Sequence, residues 1–214
     1  ASGEMSRDQF EAFLEQSFRQ MTAYCADSAV LYSFMDWRHL DEILGAIRKV
    51  DHELINLCVW SKTNAGMGSL YRSAHELVFV FGRKGVRRAN NVQLGRFGRN
   101  RTNLWTYPGM NSFPRKGRTR GLGYHPTVKP VALVADAIQD VTDRGMIVLD
   151  PFCGSGTIVV AAQRTGRRAY ALELDPGYVD VAIERWQRVS GEPAMHQSGK
   201  TFVEVAAERG SHEA

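Results

Sequence analysis

Cysteine is scarce in this sequence: Cys25, Cys58 and Cys153 are the only three in 214 residues, and they fall in no metal-ligand spacing or paired framework. That excludes a disulfide-stapled fold and a cysteine zinc cluster, and leaves reduced thiols as the default. Long apolar runs are missing as well. No stretch approaches the roughly 20 apolar residues that a membrane-crossing helix needs, and no signal-peptide pattern opens the chain, so a soluble, cytoplasmic protein is expected. Internal repeats and low-complexity tracts are also absent. At this length one large α/β domain with a substantial core is the expected organisation.

Acidic residues are missing from one long stretch. Between Glu76 and Asp136 there is no Asp or Glu over 59 residues, whereas twelve Lys or Arg fall there: Arg83, Lys84, Arg87, Arg88, Arg96, Arg99, Arg101, Arg115, Lys116, Arg118, Arg120 and Lys129. The rest of the chain holds 15 basic and 23 acidic residues, a balance of −8 inside an overall +4. A basic segment on an acidic body points to a polyanionic partner. From Gly82 to Gly123 there is little periodicity, and Phe97, Trp105, Tyr107 and Phe113 are interleaved with the cations. Arg and Lys meet phosphates, Arg and Asn read base edges, and aromatics stack or wedge, so this pattern suits nucleic acid. Arg87, Arg88, Arg96, Arg99, Arg101, Arg115, Lys116, Arg118 and Arg120 are the candidate contacts. A solvated basic loop is the plainer alternative.

What is present organises around Val148-Leu149-Asp150-Pro151-Phe152-Cys153-Gly154-Ser155-Gly156-Thr157. An apolar run from Met146 to Leu149 ends in an acid, turns through Pro and two Gly, and opens into the buried-helix pattern Ile158 to Ala162. Glycines let a loop backbone approach a ligand, and a helix start presents unpaired N–H groups to it. Gly166 ends the helix, and Arg168 to Leu172 reads as a second strand with Glu173 and Asp175 at its tip. An acid about 20 residues past the loop is where a Rossmann-like unit bonds a ribose, so a nucleoside-containing cofactor is expected. An ordinary strand–helix turn is the alternative for the loop taken alone.

Upstream, Ser6 is a helix N-cap before Phe10, Phe13, Leu14, Phe18 and Met21 at spacings of three and four. Ala29 to Phe34 reads as a strand followed by Asp36-Trp37-Arg38-His39, a tetrad that either faces a cleft or lets Asp36 cap the next helix, Leu40 to Ile47. Leu54 to Trp60 and Leu77 to Phe81 are strands joined by a glycine-rich connection, which suggests an antiparallel edge on a mostly parallel sheet. His125 to Pro130 leads into a helix from Val131 to Ile138, and a Lys and a hydroxyl at that entrance suit a carboxylate. A helix from Pro176 to about Val189 follows, and Thr201 to Val205 reads as an edge strand in a polar tail.

Together, His125-Pro126-Thr127-Val128-Lys129-Pro130, Asp150 to Thr157, Glu173-Leu174-Asp175-Pro176 with Tyr178, and upstream Trp60-Ser61-Lys62 and Tyr71 to Glu76 resemble the S-adenosylmethionine-dependent DNA amino-methyltransferases. The group resembled is the one whose cofactor motifs come last in the chain, and the narrower likeness is to plasmid- and phage-borne adenine methylases associated with partition-type proteins. The resemblance covers roughly residues 6 to 190. It implies a Rossmann-like, mostly parallel methyltransferase sheet with helices on both faces, divided as residues 1–81 (one half of the catalytic domain), 82–124 (target recognition), 125–190 (cofactor half) and 191–214 (polar tail).

The resemblance also implies S-adenosyl-L-methionine as cofactor. Asp150, Phe152, Gly154, Gly156 and Thr157 would surround its methionine portion and sulfonium, Glu173 its ribose, and Thr127 and Lys129 its carboxylate, with His125 shaping the turn. The target base would flip out of double-stranded DNA into a pocket for which Trp60, Lys62 and Tyr71 are candidates. No metal and no membrane partner are implied, and a homodimer is one assembly open to such a chain. Adenine N6 is the expected target, with N4 of cytosine or a non-catalytic DNA-binding remnant as alternatives.

One departure stands out. The family's Asp/Ser/Asn-Pro-Pro-Tyr/Phe motif is absent, since the only Asp-Pro pairs, Asp150-Pro151 and Asp175-Pro176, are not followed by Pro. In the family that motif tips the strand between those ending near Asp150 and Phe34. The implied sheet therefore lacks a central strand, and a segment carrying the catalytic motif is expected upstream of Ala1. Residues 1–214 alone are expected to be inactive.

Overall fold

The computed structural model describes residues 5–66, 68, 70–109 and 128–210. Ala1, upstream of which the catalytic motif is expected, lies outside the described residues, and no described residue supplies that motif in its place. Two compact units result, residues 1–112 with 140–142, and 113–139 with 143–214.

In the first unit, α1 (Arg7–Ala23) starts at a capping box in which Ser6 and Gln9 satisfy each other's backbone N–H groups. Phe10, Leu14 and Phe18 form its buried stripe. Strand β1 (Val30–Met35) leads to a short 3-10 turn, Trp37–His39, and then α2 (Leu40–Arg48). Asp36 does act as a cap, but of the 3-10 turn: it accepts from the Arg38 N–H at 3.0 Å and grips the Arg38 guanidinium, which holds its carboxyl below the usual range. Strands β2 (His52–Lys62), β3 (His75–Arg83) and β4 (Leu104–Tyr107) complete a sheet of order β1-β3-β2-β4.

The expected antiparallel pairing of β2 with β3 is present, but β3 is an inner strand with β1 antiparallel on its other side. Its uninterrupted apolar run explains this: Leu77, Phe79 and Phe81 join Phe10, Leu14, Phe18, Ile43, Ala46 and Ile47 in one core, while Val78 and Val80, pointing the other way, are buried too. Among the described residues the sheet ends at β1 on one side and at β4 on the other, and β4 pairs parallel with β2 inside the stretch read as irregular. Four residues, LWTY, between Asn103 and Pro108 are too few to show a period.

One buried carboxylate in this unit is weakly compensated. Glu42 on α2 is 3% exposed, and neither carboxylate oxygen has a hydrogen-bond partner; Arg7 Nε and His39 Nδ1 stand 3.5 and 3.7 Å away. Replacing a buried, poorly bonded charge with an apolar side chain removes a desolvation cost, so Glu42→Leu is expected to stabilise the protein by about 1–3 kcal/mol in urea unfolding. A destabilised variant would show that Arg7 and His39 hold the carboxylate more strongly than these distances suggest.

The second unit contains α3 (Val131–Val141) up to Gln139, β5 (Ile147–Asp150), α4 (Thr157–Thr165), β6 (Arg168–Ala171), α5 (Pro176–Ser190) and α6 (Phe202–Gly210). Strands β5 and β6 are parallel and in register from Ile147↔Arg168 to Asp150↔Ala171, with α4 as the crossover. Where an edge strand was expected at Thr201 to Val205, α6 forms instead. Thr201 and Glu204 make reciprocal side-chain-to-backbone bonds of 2.7 and 3.4 Å, a capping box that starts a helix and overrides the β-branched composition. Among the described residues β1 pairs only with β3, and β5 only with β6. These are the two strands between which the resemblance places its motif-bearing strand. No helix among the described residues is long and apolar enough to cross a membrane.

Candidate cofactor site

The loop between β5 and α4 is built from both ends. Asp150, the last residue of β5, accepts from the Phe152 N–H at 3.0 Å, which turns the chain at Pro151. At the far end Gly156 is the N-cap of α4 with φ +77°, a left-handed conformation that glycine adopts without a Cβ penalty. A Cβ there would come within 2.6 Å of the Ala182 Cβ, because α5 packs directly against the loop backbone. Between them, the Cys153 N–H donates to Leu172 O at 3.1 Å and the Gly156 N–H to Cys153 O at 2.9 Å. The N–H groups of Ser155, Thr157, Ile158 and Val159 have no acceptor among the described residues. The positive end of α4 is thus presented at the loop.

Glu173, just beyond β6, ties the site together. Its Oε2 accepts from the Gly154 N–H at 2.7 Å, and its Oε1 from the Leu174 and Asp175 N–H groups at 2.9 and 3.0 Å. An ionised carboxylate has about four acceptor sites, so these three bonds leave room for one more donor. The sequence suggested a group waiting for a ribose; the structure shows a carboxylate that shapes the glycine loop.

Charge is concentrated beneath that loop. Burial pushes the Asp150 carboxyl above its ordinary range, reinforced by Glu173 and opposed by the Phe152 N–H and by Lys129. Burial, then Asp150 and Glu173, push the Cys153 thiol up to about 11, so it is held neutral. A carboxyl whose folded pKa is raised binds more protons in the folded than in the unfolded chain. Asp150 therefore lowers stability as pH rises from the ordinary carboxylate value through its raised value, with the full penalty above it. Asp150→Asn keeps an acceptor for Phe152 and should raise the thermal midpoint at neutral pH, the gain fading as pH falls from the raised value to the ordinary carboxylate value and absent below it. A constant difference across that range would show that Asp150 is not the titrating group.

The structure thus brings Lys129, Asp150, Phe152, Gly154, Gly156, Thr157 and Glu173 into one unit, with the Thr157 hydroxyl donating to Lys129 O at 3.4 Å and Phe152 58% exposed beside the loop. His125 and Thr127 lie outside the described residues. Sequence reasoning missed Ser155 and Arg185: the Arg185 guanidinium, from α5, bonds both the carbonyl and the hydroxyl of Ser155. An Arg on an amphipathic helix otherwise reads as solvated, so no signal marked it.

In the first unit, Trp60 is 2% exposed with its indole N–H on Tyr107 O at 3.0 Å. Its ring packs within the fold and offers no open face for a base. Lys62 stands 4.6 Å over that ring and pairs with Glu76 at 3.2 Å, whereas Tyr71 is 84% exposed.

The basic segment divides in two. Arg88 bonds Glu53 and the Arg83 carbonyl; Arg101 pairs with Asp140 at 2.7 Å and covers Trp105, itself 5% exposed. These residues, read as nucleic-acid contacts, hold the fold together, because a half-buried guanidinium needs a partner. Arg87, Arg96 and Arg99 are exposed, and Arg99 lies over Phe97, which is 84% exposed. Arg115, Lys116, Arg118 and Arg120 lie outside the described residues. No group of three metal-binding side chains occurs among the described residues.

A family model described as DNA methylase, of the N6/N4 methyltransferase group, matches residues 1–184. The chain belongs to the DNA methylase family. It is 26% identical over 197 residues to the putative methylase YubD of Escherichia coli (strain K12), covering 89% of this chain and 75% of that protein. Against the type II methyltransferase M.HinfI of Haemophilus influenzae it is 23% identical, covering 86% of this chain and 54% of the relative, so the chain spans about half of that protein's length. Among solved structures, TTHA0409 of Thermus thermophilus, complexed with S-adenosyl-L-methionine, superposes at TM-score 0.63 with 24% identity, covering 85% of this chain and 79% of that one. The PvuII DNA methyltransferase, cytosine-N4-specific, superposes at TM-score 0.70 with 17% identity over 88% of this chain and 77% of that one. The DNA methylase carries the Rossmann-like methyltransferase fold expected of its sequence.

Proposed function

We propose that this chain binds S-adenosyl-L-methionine at the β5–α4 loop and belongs to a site-specific enzyme that methylates the exocyclic N6 of adenine in duplex DNA. The observation that carries the cofactor reading is the loop itself: unpaired amides at the start of α4, Gly156 seated without a side chain on α5, and Glu173 with one acceptor position left. These fit a nucleoside bearing an amino-acid tail. Glu173 would accept a ribose hydroxyl. The amides around Gly154 to Thr157 would line the methionine portion, and Lys129, close enough to Asp150 to oppose the rise in its pKa, would meet the carboxylate, a role the sequence resemblance extends to Thr127, with His125 shaping the turn. The bound cofactor supplies an electrophilic methyl group on sulfonium. The protein's own contribution on these residues is to bind and orient it. The sequence contains no Asp-Pro-Pro-Tyr-type motif, and no residue here is assigned to the base's amine.

Duplex DNA is the substrate this reading requires, and the exposed cations support it. Arg87, Arg96 and Arg99 would meet phosphates, with Phe97 beside them, while Tyr71 is the exposed candidate for the base pocket. Replacing Arg87 and Arg96 together by Ala should weaken DNA binding uniformly across sequences and reduce the salt slope by about 2, one per lost phosphate contact. Arg88→Ala and Arg101→Ala should lower stability instead; an unchanged slope in the first variant would remove those two residues from the interface.

The choice of base has two readings. Adenine follows from the sequence resemblance, and N4 of cytosine is the alternative, being the specificity of the similarly folded PvuII enzyme. Nucleoside analysis of duplex DNA after incubation with the enzyme to which this chain belongs and methyl-labelled S-adenosylmethionine separates them: N6-methyladenine is expected, and N4-methylcytosine alone would reverse the assignment.

A further inference from the structure

Resting on that cofactor reading, we propose that Arg185 is a positioning residue of the loop: its guanidinium holds the Ser155–Gly156 peptide so that the amides at the start of α4 stay open to the ligand. Helix α5 meets the loop with two residues one turn apart. Ala182, 7% exposed, lies where a Gly156 Cβ would be, and Arg185, three residues on and so on the same face, reaches Ser155. One nitrogen, Nη1, donates to both the Ser155 carbonyl and, at 2.8 Å, Ser155 Oγ. The other side of the same peptide is held as well, since the Gly156 N–H donates to Cys153 O at 2.9 Å. With its oxygen and its N–H both committed, this peptide cannot turn over without breaking two bonds. Ser155 is 6% exposed, so water does not readily replace them.

The side chain chosen for this task argues for function over packing. Arg185 is partly buried, it forms no ion pair with a carboxylate among the described residues, and burial with the like charges of Arg188 and Arg164 depresses its pKa. An apolar side chain would fill that space without desolvating a cation. What only the cation provides is a charge-assisted bond to a loop carbonyl, roughly twice as strong as a neutral one. The arrangement therefore trades stability for a fixed loop, and the two quantities should separate on mutation.

Arg185→Met and Arg185→Lys test this in the otherwise unaltered protein, each by ligand-free thermal unfolding and by calorimetric titration with S-adenosylmethionine. Arg185→Met should keep or raise the unfolding midpoint while raising the dissociation constant about tenfold, which corresponds to about 1.4 kcal/mol. Arg185→Lys, keeping the charge without the planar fork, should fall between the parent and the Met variant. The proposal is overturned if Arg185→Met binds as tightly as the parent, or if its lost affinity comes with a matching fall in the midpoint. A parent protein that binds no S-adenosylmethionine overturns the cofactor reading itself, and this proposal with it, before any variant is compared.

Discussion

Replacing Glu173 by Ala should raise the dissociation constant for S-adenosylmethionine about 50-fold, on the order of 2–2.5 kcal/mol. Two losses combine. The N–H groups of Gly154, Leu174 and Asp175 lose the carboxylate that accepts all three, so the loop is freed from the tip of β6. The remaining acceptor position, assigned to a ribose hydroxyl, disappears with it. Glu173→Gln divides the effects, because its one carbonyl oxygen can serve Leu174 and Asp175 while its amide nitrogen faces the Gly154 N–H donor to donor. An intermediate loss of about tenfold is expected there, since one charge-assisted bond is worth about 1.5 kcal/mol. Calorimetric titration of both variants makes the check, and affinities within about twofold of the parent for both would remove Glu173 from the site.

Gly156→Ala should destabilise the protein by about 3 kcal/mol in urea unfolding, combining a left-handed backbone penalty of about 1–2 kcal/mol with an overpacking cost of similar size. The φ of +77° penalises any side chain, and the new Cβ would meet the Ala182 Cβ at 2.6 Å and the α5 backbone at 2.9 Å. Adding Ala182→Gly removes the first contact but not the φ, so the double variant should recover only part of the loss. Gly154→Ala is the internal comparison: its φ is +52° with no heavy atom within 4 Å of the built Cβ, so only the backbone share, about 1–2 kcal/mol, is expected. Equal losses at both glycines would mean that α5 does not seat against the loop as described.

Much of this was readable from the residues. Ser6 with Gln9, the Phe10-Leu14-Phe18 stripe, and the sequence of strand, glycine loop and helix from Met146 to Ala162 all announced themselves, because capping and periodicity are local. Glycine at 156 and an acid at 173 were legible for the same reason. The failures were of another kind. That β3 is inner, that LWTY pairs with β2, and that Trp60 and Trp105 are packed while Phe97 and Tyr71 are exposed are decided by contacts between segments far apart in sequence. Thr201 to Val205 became a helix although its β-branched residues suggested a strand, since the Thr201–Glu204 box outweighed weak propensity. The division of the arginines is the most instructive case. Arg88 and Arg101 look identical to Arg87 and Arg96 in the sequence, and only Glu53 and Asp140, brought up by the fold, turn the first pair into structural ties.

The central claim is that the loop from Asp150 to Thr157, with Glu173, is an S-adenosylmethionine site. Calorimetric titration of the protein with S-adenosylmethionine, repeated in the presence of S-adenosylhomocysteine, tests it most directly. Saturable binding of one ligand per chain, displaced by the homocysteine product, is the expected result; a flat titration with folded protein would contradict it.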